Sequence, residues 1–468
     1  MSQKPRNLLI LMSDEHRRDA AGFMGHAAQP TPKLDKLAAR GTVFERAYTP
    51  SPICVPARAA FASGLPVHRT GNWDSAKPWT GTPQGWMHEL RNAGMHTATL
   101  GKLHYTAGCD HGAVEEIKPM HVAGNGWTIA LIRDGSATFD AAADMARDVG
   151  CGKTDTIRYD QAVTKAAVDW LHAPERNEPW AAMVSLVTPH YPLTAPQEWI
   201  DQIDPEMIAP PVAGRLRPAH PELARIRDFY DHDPWFDDEA VMVARRSYLA
   251  LVAFMDDCMG QVLSALEQSG QTEETLIVYV SDHGEMLGDH GFWGKSVMLE
   301  SSVGVPMIVS GPGVPVGRCK TPTSLLDIAT TALATFDLDQ GNRPGADLRT
   351  LANQPDDAAR TAFSEHHDGG STMGAFMVRW DNWKYIHYAA EAPQLFDLDA
   401  DPDELRDLTD KPEYSLPLSE GRKRLAAICD AAAVEADAIS DQAARLLAMG
   451  GREAALNNAF SHTPIPDS

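Results

Sequence analysis

Polar residues able to do chemistry recur directly after short apolar runs in this chain. Asn7 to Ser13 leads into Asp14-Glu15, and Met95 to Leu100 leads into Gly101-Lys102-Leu103-His104. Trp180 to Val187 leads into Thr188-Pro189-His190, and Thr275 to Val280 into Ser281-Asp282-His283-Gly284. A fifth polar cluster surrounds Cys54, in the turn-forming segment Ser51-Pro52-Ile53-Cys54-Val55-Pro56. Asp14, Asp282 and His283 offer oxygen and nitrogen donors to a divalent cation, and the excess of oxygen favours Ca²⁺, Mg²⁺ or Mn²⁺ over zinc. Lys102 can serve as a point charge for an anion, and His104 as an acid or base near neutral pH. Two residues apart, they share a face if the strand persists. Each cluster alone also fits a plainer reading: a solvated turn at Asp14-Glu15, a tight turn at Asp282-His283-Gly284, a surface pair at Lys102 and His104. Their recurrence at one kind of position favours a common site.

The elements that would position these groups alternate between strand and helix. Apolar runs at 7–13, 95–100, 180–187, 275–280 and 305–309 read as strands. Between them, Thr31-Pro32 opens a helix that stops at Gly41, Pro56 to Ser63 forms another, and Tyr159 to Leu171 a third. The clearest helix is Glu239 to Leu266, where Tyr248, Leu251, Val252, Met255, Met259, Val262 and Leu266 recur at helical spacing. Alternation of this kind argues for an α/β sheet flanked by helices, with ligands bound beyond the carboxyl ends of the strands. Residues 105–155 and 191–238 read as irregular, the first as a loop region over the site. From about residue 360 the pattern changes to a hairpin, 375–380 and 383–388, a strand near Leu395, and one Ala-rich helical tract from Leu418 to Met449. The expected division is therefore a catalytic unit at 1–360 and a smaller α+β unit at 361–468, with Ser461 to Ser468 frayed.

Apolar residues make up 43% of the chain, enough for a large buried core. The formal charge of −23 repels nucleic acid and anionic membranes overall, so an anionic substrate would need local positive charge from a metal or from Lys and Arg. No run approaches about 18 uninterrupted apolar residues, and no membrane span is expected. The run Leu8 to Met12 is too short for a signal-peptide core, so a cytoplasmic location is expected. The six cysteines are scattered with no C-x-x-C pair, which argues for free thiols rather than a disulfide framework or a zinc cluster, and a zinc hydrolase lacks its expected cysteine or histidine spacing.

The segment Cys54-Val55-Pro56-Ala57-Arg58, followed by Ser63-Gly64, resembles the C-x-P-x-R signature of type I sulfatases. Asn7 to Asp14 is similar to that family's first strand and metal aspartate, and Thr31-Pro32-Lys33-Leu34-Asp35 to its T-P-N-L-D helix. Gly101-Lys102-Leu103-His104 resembles its G-K-x-H block, and Ser281 to Gly288 with Trp293-Gly294-Lys295 resembles its S-D-H-G-[DE]-x-L-G…K block. Order and spacing correspond over residues 7–310, and the look is closest to the choline-sulfatase and phosphonate monoester hydrolase branch. The chain departs from that pattern at Ala62, where Leu is usual, at Glu15, where the branch has Gln, and at Ser75, where choline sulfatases carry Asn.

The resemblance implies an alkaline-phosphatase-like fold, a large mixed sheet sandwiched by helices. It implies that a separate formylglycine-generating enzyme oxidises Cys54, and that the aldehyde hydrate attacks sulfur through one hydroxyl and expels sulfate through the other. One divalent ion, Ca²⁺ or Mn²⁺ with Mg²⁺ as an alternative, is assigned to Asp14, Asp282, His283 and the modified Cys54. Arg58 is assigned to fixing that side chain or the metal carboxylates, and Lys102 and Lys295 to clamping sulfate oxygens. His104 is assigned as base for the second hydroxyl and His190 as donor to the departing alcohol or phenol. The substrate is a small sulfate ester, with neither nucleic acid nor membrane as partner. Relatives in this branch often assemble, so a homo-oligomer is compatible. Two rival readings remain: a phosphonate monoester hydrolase or phosphodiesterase using the same groups, and a non-catalytic anion-binding protein. Trp73, Trp79, Trp127 and Trp293 fit either an aromatic pocket or packing.

Overall fold

Asn7–Asp14 is apolar from Leu8 to Met12, so as a strand it must be covered on both faces. A computed structural model, which describes residues 4–464 apart from 140, 174–177, 215 and 217, shows how. This strand, β1, lies inside a nine-stranded mixed sheet. Its partners are β2 (Gly41–Phe44), β3 (His96–Thr106), β4 (Glu115–Ala123), β5 (Trp180–Pro189), β6 (Thr275–Ser281), β7 (Met307–Ser310) and β8 (Gly317–Cys319). A short final strand from the C-terminal tail, Ser461–His462, completes it, and the order is β8-β2-β7-β6-β1-β5-β3-β4-tail. The central strands β6, β1, β5, β3 and β4 run parallel to one another.

Alternation along β1 divides the core into two layers. Leu9 and Leu11 pack with Val163 and Ala167 of one helix (α3, Asp155–Leu171) and with Tyr248, Leu251, Met255 and Met259 of another (α4, Asp238–Gln268). Leu8, Ile10 and Met12 face the opposite layer, with Phe61 of α2 (Cys54–Ser63) and Ile328, Ala332 and Leu333 of α5 (Leu326–Thr335). By length and composition α4 could cross a membrane, but its apolar residues are buried against the sheet, as in a core helix. Asp256 on α4 accepts the Lys33 and Leu34 amides at 2.8 Å each, which caps the first turn of the preceding helix α1 (Pro32–Ala38).

The smaller C-terminal part is built on a four-stranded antiparallel meander, β9 (Ala362–His366), β10 (Ala375–Trp380), β11 (Trp383–Tyr388) and β12 (Gln394–Asp397). The expected hairpin pairs Trp380 with Trp383, and Asp381 takes φ 43° in its turn. Phe376, Val378 and Trp380 share a core with Leu425 of the helix Ser415–Ile428 and with Ala60, Val67 and Trp73 of the larger part. The expected α/β architecture with a smaller α+β unit is thus the observed one.

Four local expectations change. Residues 191–238, read as irregular, hold the helix Pro221–Tyr230, opened by Pro221 at its first position. Residues 115–123 form strand β4 rather than loop: its alternation is masked by Glu115, Glu116, Lys118 and Pro119, tolerable because its outer neighbour is only the two-residue tail strand. The Ala-rich tract is two helices, Ser415–Ile428 and Ala431–Ala448, because Asp430 ends the first region and caps the second through the Ala432 and Ala433 amides. Ser461 and His462 are paired with Ala123 and Val122 rather than frayed; residues 465–468 lie outside the described residues.

One buried acid ties the two parts together. Glu365 accepts the His68 backbone N–H and Nδ1 at 2.9 Å each, and the His367 ring at 3.3 Å. Burial alone would raise its pKa, but His367 and His68 hold it down at about 2. The folded value lies below the unfolded one of about 4.3. This contribution to stability is complete above the unfolded value and is lost as pH falls toward the folded one. Glu365→Gln should flatten the acid limb of a melting-temperature profile in that window; an unchanged limb would remove Glu365 from the account.

Candidate active site

In the four neighbouring strands β6, β1, β5 and β3, the carboxyl ends of the first three carry Asp282, Asp14 and His190, and Lys102 lies within β3 just past its last pairing with β5 at Gly101. Parallel pairing of Ser13 with Ser281 sets Asp14 and Asp282 at the same level on adjacent strands. Cys54 is the first residue of α2, which begins above this edge after an extended Ile53. Its Sγ lies 3.1 Å from His283 Nε2 and 3.6 Å from Asp14 Oδ1. His283 Nε2 in turn lies 3.8 Å from Asp14 Oδ1 and 3.7 Å from Asp282 Oδ1. A carbonyl only accepts, so the 2.9 Å contact from His283 Nδ1 to Gly284 O places the ring proton on Nδ1. The Nε2 lone pair therefore faces the carboxylates, the tautomer a metal ligand needs. Asp14, Cys54, Asp282 and His283 bring their donor atoms within 4.8 Å of one another, all buried, and this set fits a single divalent cation.

Buried cations balance the carboxylates. The Arg58 guanidinium donates to Asp282 Oδ2 at 2.7 Å, Asp14 Oδ2 at 3.1 Å, Lys102 O at 2.7 Å and Ser185 Oγ at 3.0 Å. It thus holds both Asp14 and Asp282 in place. Lys102 Nζ sits 2.5 Å from Asp14 Oδ2. Burial would raise the Asp14 pKa, but Lys102, His190 and Arg58 hold the carboxyl well below the usual range. At Cys54, burial and then the Asp14 charge push the thiol up to about 12, so it is not a thiolate at neutral pH.

The sulfatase family profile matches residues 6–338, which contain all of these groups. This chain belongs to the sulfatase family. It is a hydrolase of sulfate esters. A second profile, the C-terminal region of N-sulphoglucosamine sulphohydrolase, matches residues 288–430. The sulfatase is 32% identical to a choline-sulfatase of Rhizobium meliloti (strain 1021), over 98% of this chain and 94% of that one. It is 30% identical to arylsulfatase K of Danio rerio, over 86% of this chain and 80% of that one. Among solved structures, a phosphonate monoester hydrolase of Agrobacterium radiobacter shares its fold with a TM-score of 0.74 at 23% identity, covering 91% of this chain and 95% of that one.

Around this centre the sulfatase arranges a further set of groups at the mouth of the site. Lys295 Nζ donates to Glu15 Oε2 at 2.9 Å and to His190 Nε2 at 2.7 Å. His190 Nδ1 donates to Tyr191 O at 2.8 Å, so Nε2 is an acceptor here. The Lys295 side chain is 12% exposed against 2% for Lys102, which puts Lys295 nearer solvent. Glu15, which from sequence alone could be a solvated turn, is buried: at φ 66° the chain reverses so that its amide donates to Asp282 Oδ1 and its carboxylate meets Lys295.

His104 also departs from the simple reading. Gly101 at φ 99° and His104 at φ 57° break the strand alternation, so no shared face is needed to bring Lys102 and His104 together. Neither His104 ring nitrogen has a partner among the described residues. Burial, then Lys102 and His462, push its pKa well below the usual value, so the ring is neutral. The tail strand places the His462 ring parallel to it, centroids 4.9 Å apart, a neighbour no local sequence signal announces. Ser75, one of the departures noted above, donates through N and Oγ to Asp368 Oδ2 at 2.7 and 2.6 Å. Trp73, Trp79 and Trp293 are packing residues, Trp293 stacked on Phe236 at 3.9 Å. Trp127 packs edge-on against Phe139 and Phe229.

Proposed function

We propose that this sulfatase cleaves a small sulfate monoester through an oxidised Cys54 that works as formylglycine beside one divalent ion. The observation that carries the reading is the position of Cys54 Sγ inside the ligand set, 3.1 Å from His283 Nε2 and 3.6 Å from Asp14 Oδ1. The ion and the hydrated aldehyde would together supply a nucleophilic hydroxyl of lowered pKa and neutralisation of the sulfuryl oxygens. One imidazole among oxygen donors suits Mn²⁺ better than Ca²⁺, whose sites are built of oxygen.

The protein's own groups divide the remaining work. Arg58 fixes the orientation of Asp14 and Asp282. Arg58, Lys102 and Lys295 offset Asp14, Glu15 and Asp282, so a bound cation leaves the site net positive within a strongly acidic protein, as an anionic ester requires. Asp282 accepts the proton of the attacking hydroxyl. His104, neutral and unpartnered, is the base that assists release of sulfate. Lys295 engages Glu15 and His190 with two of its protons and has a third for the sulfate or leaving-group oxygen; His190, an acceptor at Nε2, orients the ammonium. Lys295→Ala should lower kcat by roughly 10²–10³, with a smaller change in KM, in steady-state assays on an aryl sulfate. An unaltered kcat would place Lys295 outside the reacting centre.

Peptide mass spectrometry across Cys54, on protein made with and without a formylglycine-generating enzyme, tests the modification. Conversion should track turnover, and full activity with an intact thiol would overturn the proposal. The same preparation assayed on an aryl sulfate and an aryl phosphonate monoester should favour the sulfate; the reverse preference would make the phosphonate reading correct.

A further inference from the structure

On the far side of β3 from β5, His111, Glu116 and His121 converge in a second group of metal-type donors, away from Asp14 and Cys54. His111 lies in the connection between β3 and β4, and the other two lie on β4 itself. His111 Nδ1 is 3.0 Å from Glu116 Oε1, and His121 Nε2 is 3.0 Å from Glu116 Oε2. The three donor atoms all fall within 4.8 Å of one another.

Both rings are buried, at 4% and 5% exposure, while the Glu116 side chain is 27% exposed. The cluster is therefore walled by protein on the histidine side and open to solvent at the carboxylate. The outer ring nitrogens, His111 Nε2 and His121 Nδ1, are buried without a hydrogen-bond partner among the described residues. The histidine rings thus aim their one engaged nitrogen each at the same small space. The rings are fixed there by packing: His111 lies 5.0 Å from the Tyr105 ring, 5.9 Å from Trp79 and 4.9 Å from His121. Burial would raise the Glu116 pKa, but His111 and His121 hold it at about 2, so the carboxylate is ionised at neutral pH.

We infer that His111, Glu116 and His121 form a second metal site, for a zinc-class transition ion. Two imidazole nitrogens and one carboxylate oxygen are donors of that class, unlike the oxygen-rich active centre. Tetrahedral zinc with bonds of about 2.0–2.1 Å needs donors about 3.3 Å apart. Each imidazole nitrogen sits 3.0 Å from a different oxygen of Glu116, so an ion between the rings needs the partly exposed Glu116 side chain to turn one oxygen toward it. The open side at Glu116 leaves the fourth position to water. Such an ion ties the 107–114 connection to β4, and so braces the strand lying between β3, which carries Lys102 and His104, and the tail strand, which carries His462. This bracing does not depend on how Cys54 works.

The test uses full-length protein whose active centre is first saturated with Mn²⁺, then equilibrated with Zn²⁺. Zinc per chain is measured by elemental analysis and affinity by competition with a chromophoric chelator. Wild type should hold one more zinc per chain than Glu116→Gln or His121→Ala, with affinity in either variant weaker by ~100-fold or more, since loss of an outer-shell partner alone typically costs about 10–100-fold. Asp14→Asn should keep that zinc. Zinc should also raise the melting temperature of wild type and leave that of Glu116→Gln unmoved. Glu116→Gln is nearly isosteric and serves if His121→Ala does not fold. Equal zinc uptake and equal thermal response in wild type and Glu116→Gln would overturn the assignment and leave a hydrogen-bonded His–Glu–His clamp.

Discussion

Cys54→Ala should leave a folded protein whose turnover of an aryl sulfate falls by roughly 10⁴-fold or more. Loss of a nucleophile typically removes nearly all covalent catalysis, leaving only what binding and electrostatics supply. The fold should survive because Cys54 begins α2 rather than filling its core: the packing of that helix rests on Phe61, Ala59 and Ala62, and Ala is a good helix former. Asp14, Asp282 and His283 keep their own supports in Arg58, the Glu15 amide and Gly284 O, so metal uptake should weaken modestly rather than vanish. Circular dichroism, elemental analysis and steady-state rates on one preparation separate these effects. A variant with rates near wild type would refute the nucleophile assignment; a variant that cannot fold would show Cys54 to be structural.

Arg58→Met should be the most damaging single change to the stability of the metal-free protein, costing about 3–5 kcal/mol. The guanidinium is 1% exposed and touches both metal-facing carboxylates, Asp282 at 2.7 Å and Asp14 at 3.1 Å. Its removal leaves two buried carboxylates on adjacent strands with Lys102 as the nearby compensating charge, and leaves Lys102 O and Ser185 Oγ without their donor. Met fills similar volume, so the loss measured is mainly electrostatic and not a cavity. Urea unfolding of the metal-free variant should show a clearly lowered midpoint at an unchanged m-value. Adding the divalent ion should recover part of the loss, since it supplies positive charge between the same carboxylates. A midpoint equal to wild type would show that solvent reaches the pair and screens it.

Much of the active centre is legible in the sequence. Asp14, Asp282 and His190 each follow an apolar run, and a run of that composition must be a buried strand whose polar residue marks its carboxyl end. Parallel strands place such ends on one edge of the sheet, which is why separate local signals pointed to one site. The helix Asp238–Gln268 and the hairpin at Asp381-Asn382 were readable for the same kind of reason, since their periods lie within a few turns of chain.

Other features required the tertiary structure. Glu15 looks solvated by type, and only the reversal at φ 66° buries it against Lys295, which is 280 residues away. Strand β4 carries too many charged residues to show alternation, because it lies next to the sheet edge. His462 reaches His104 through a two-residue strand, and His111, Glu116 and His121 meet because a connection folds back along β4. The amino-acid sequence by itself determined the central strands and the long helices, the groups that end them and the family that the motifs resemble. The order of strands, the backbone reversals and the return of the tail were decided by packing of the whole chain, because they depend on contacts between residues far apart, which no local period records.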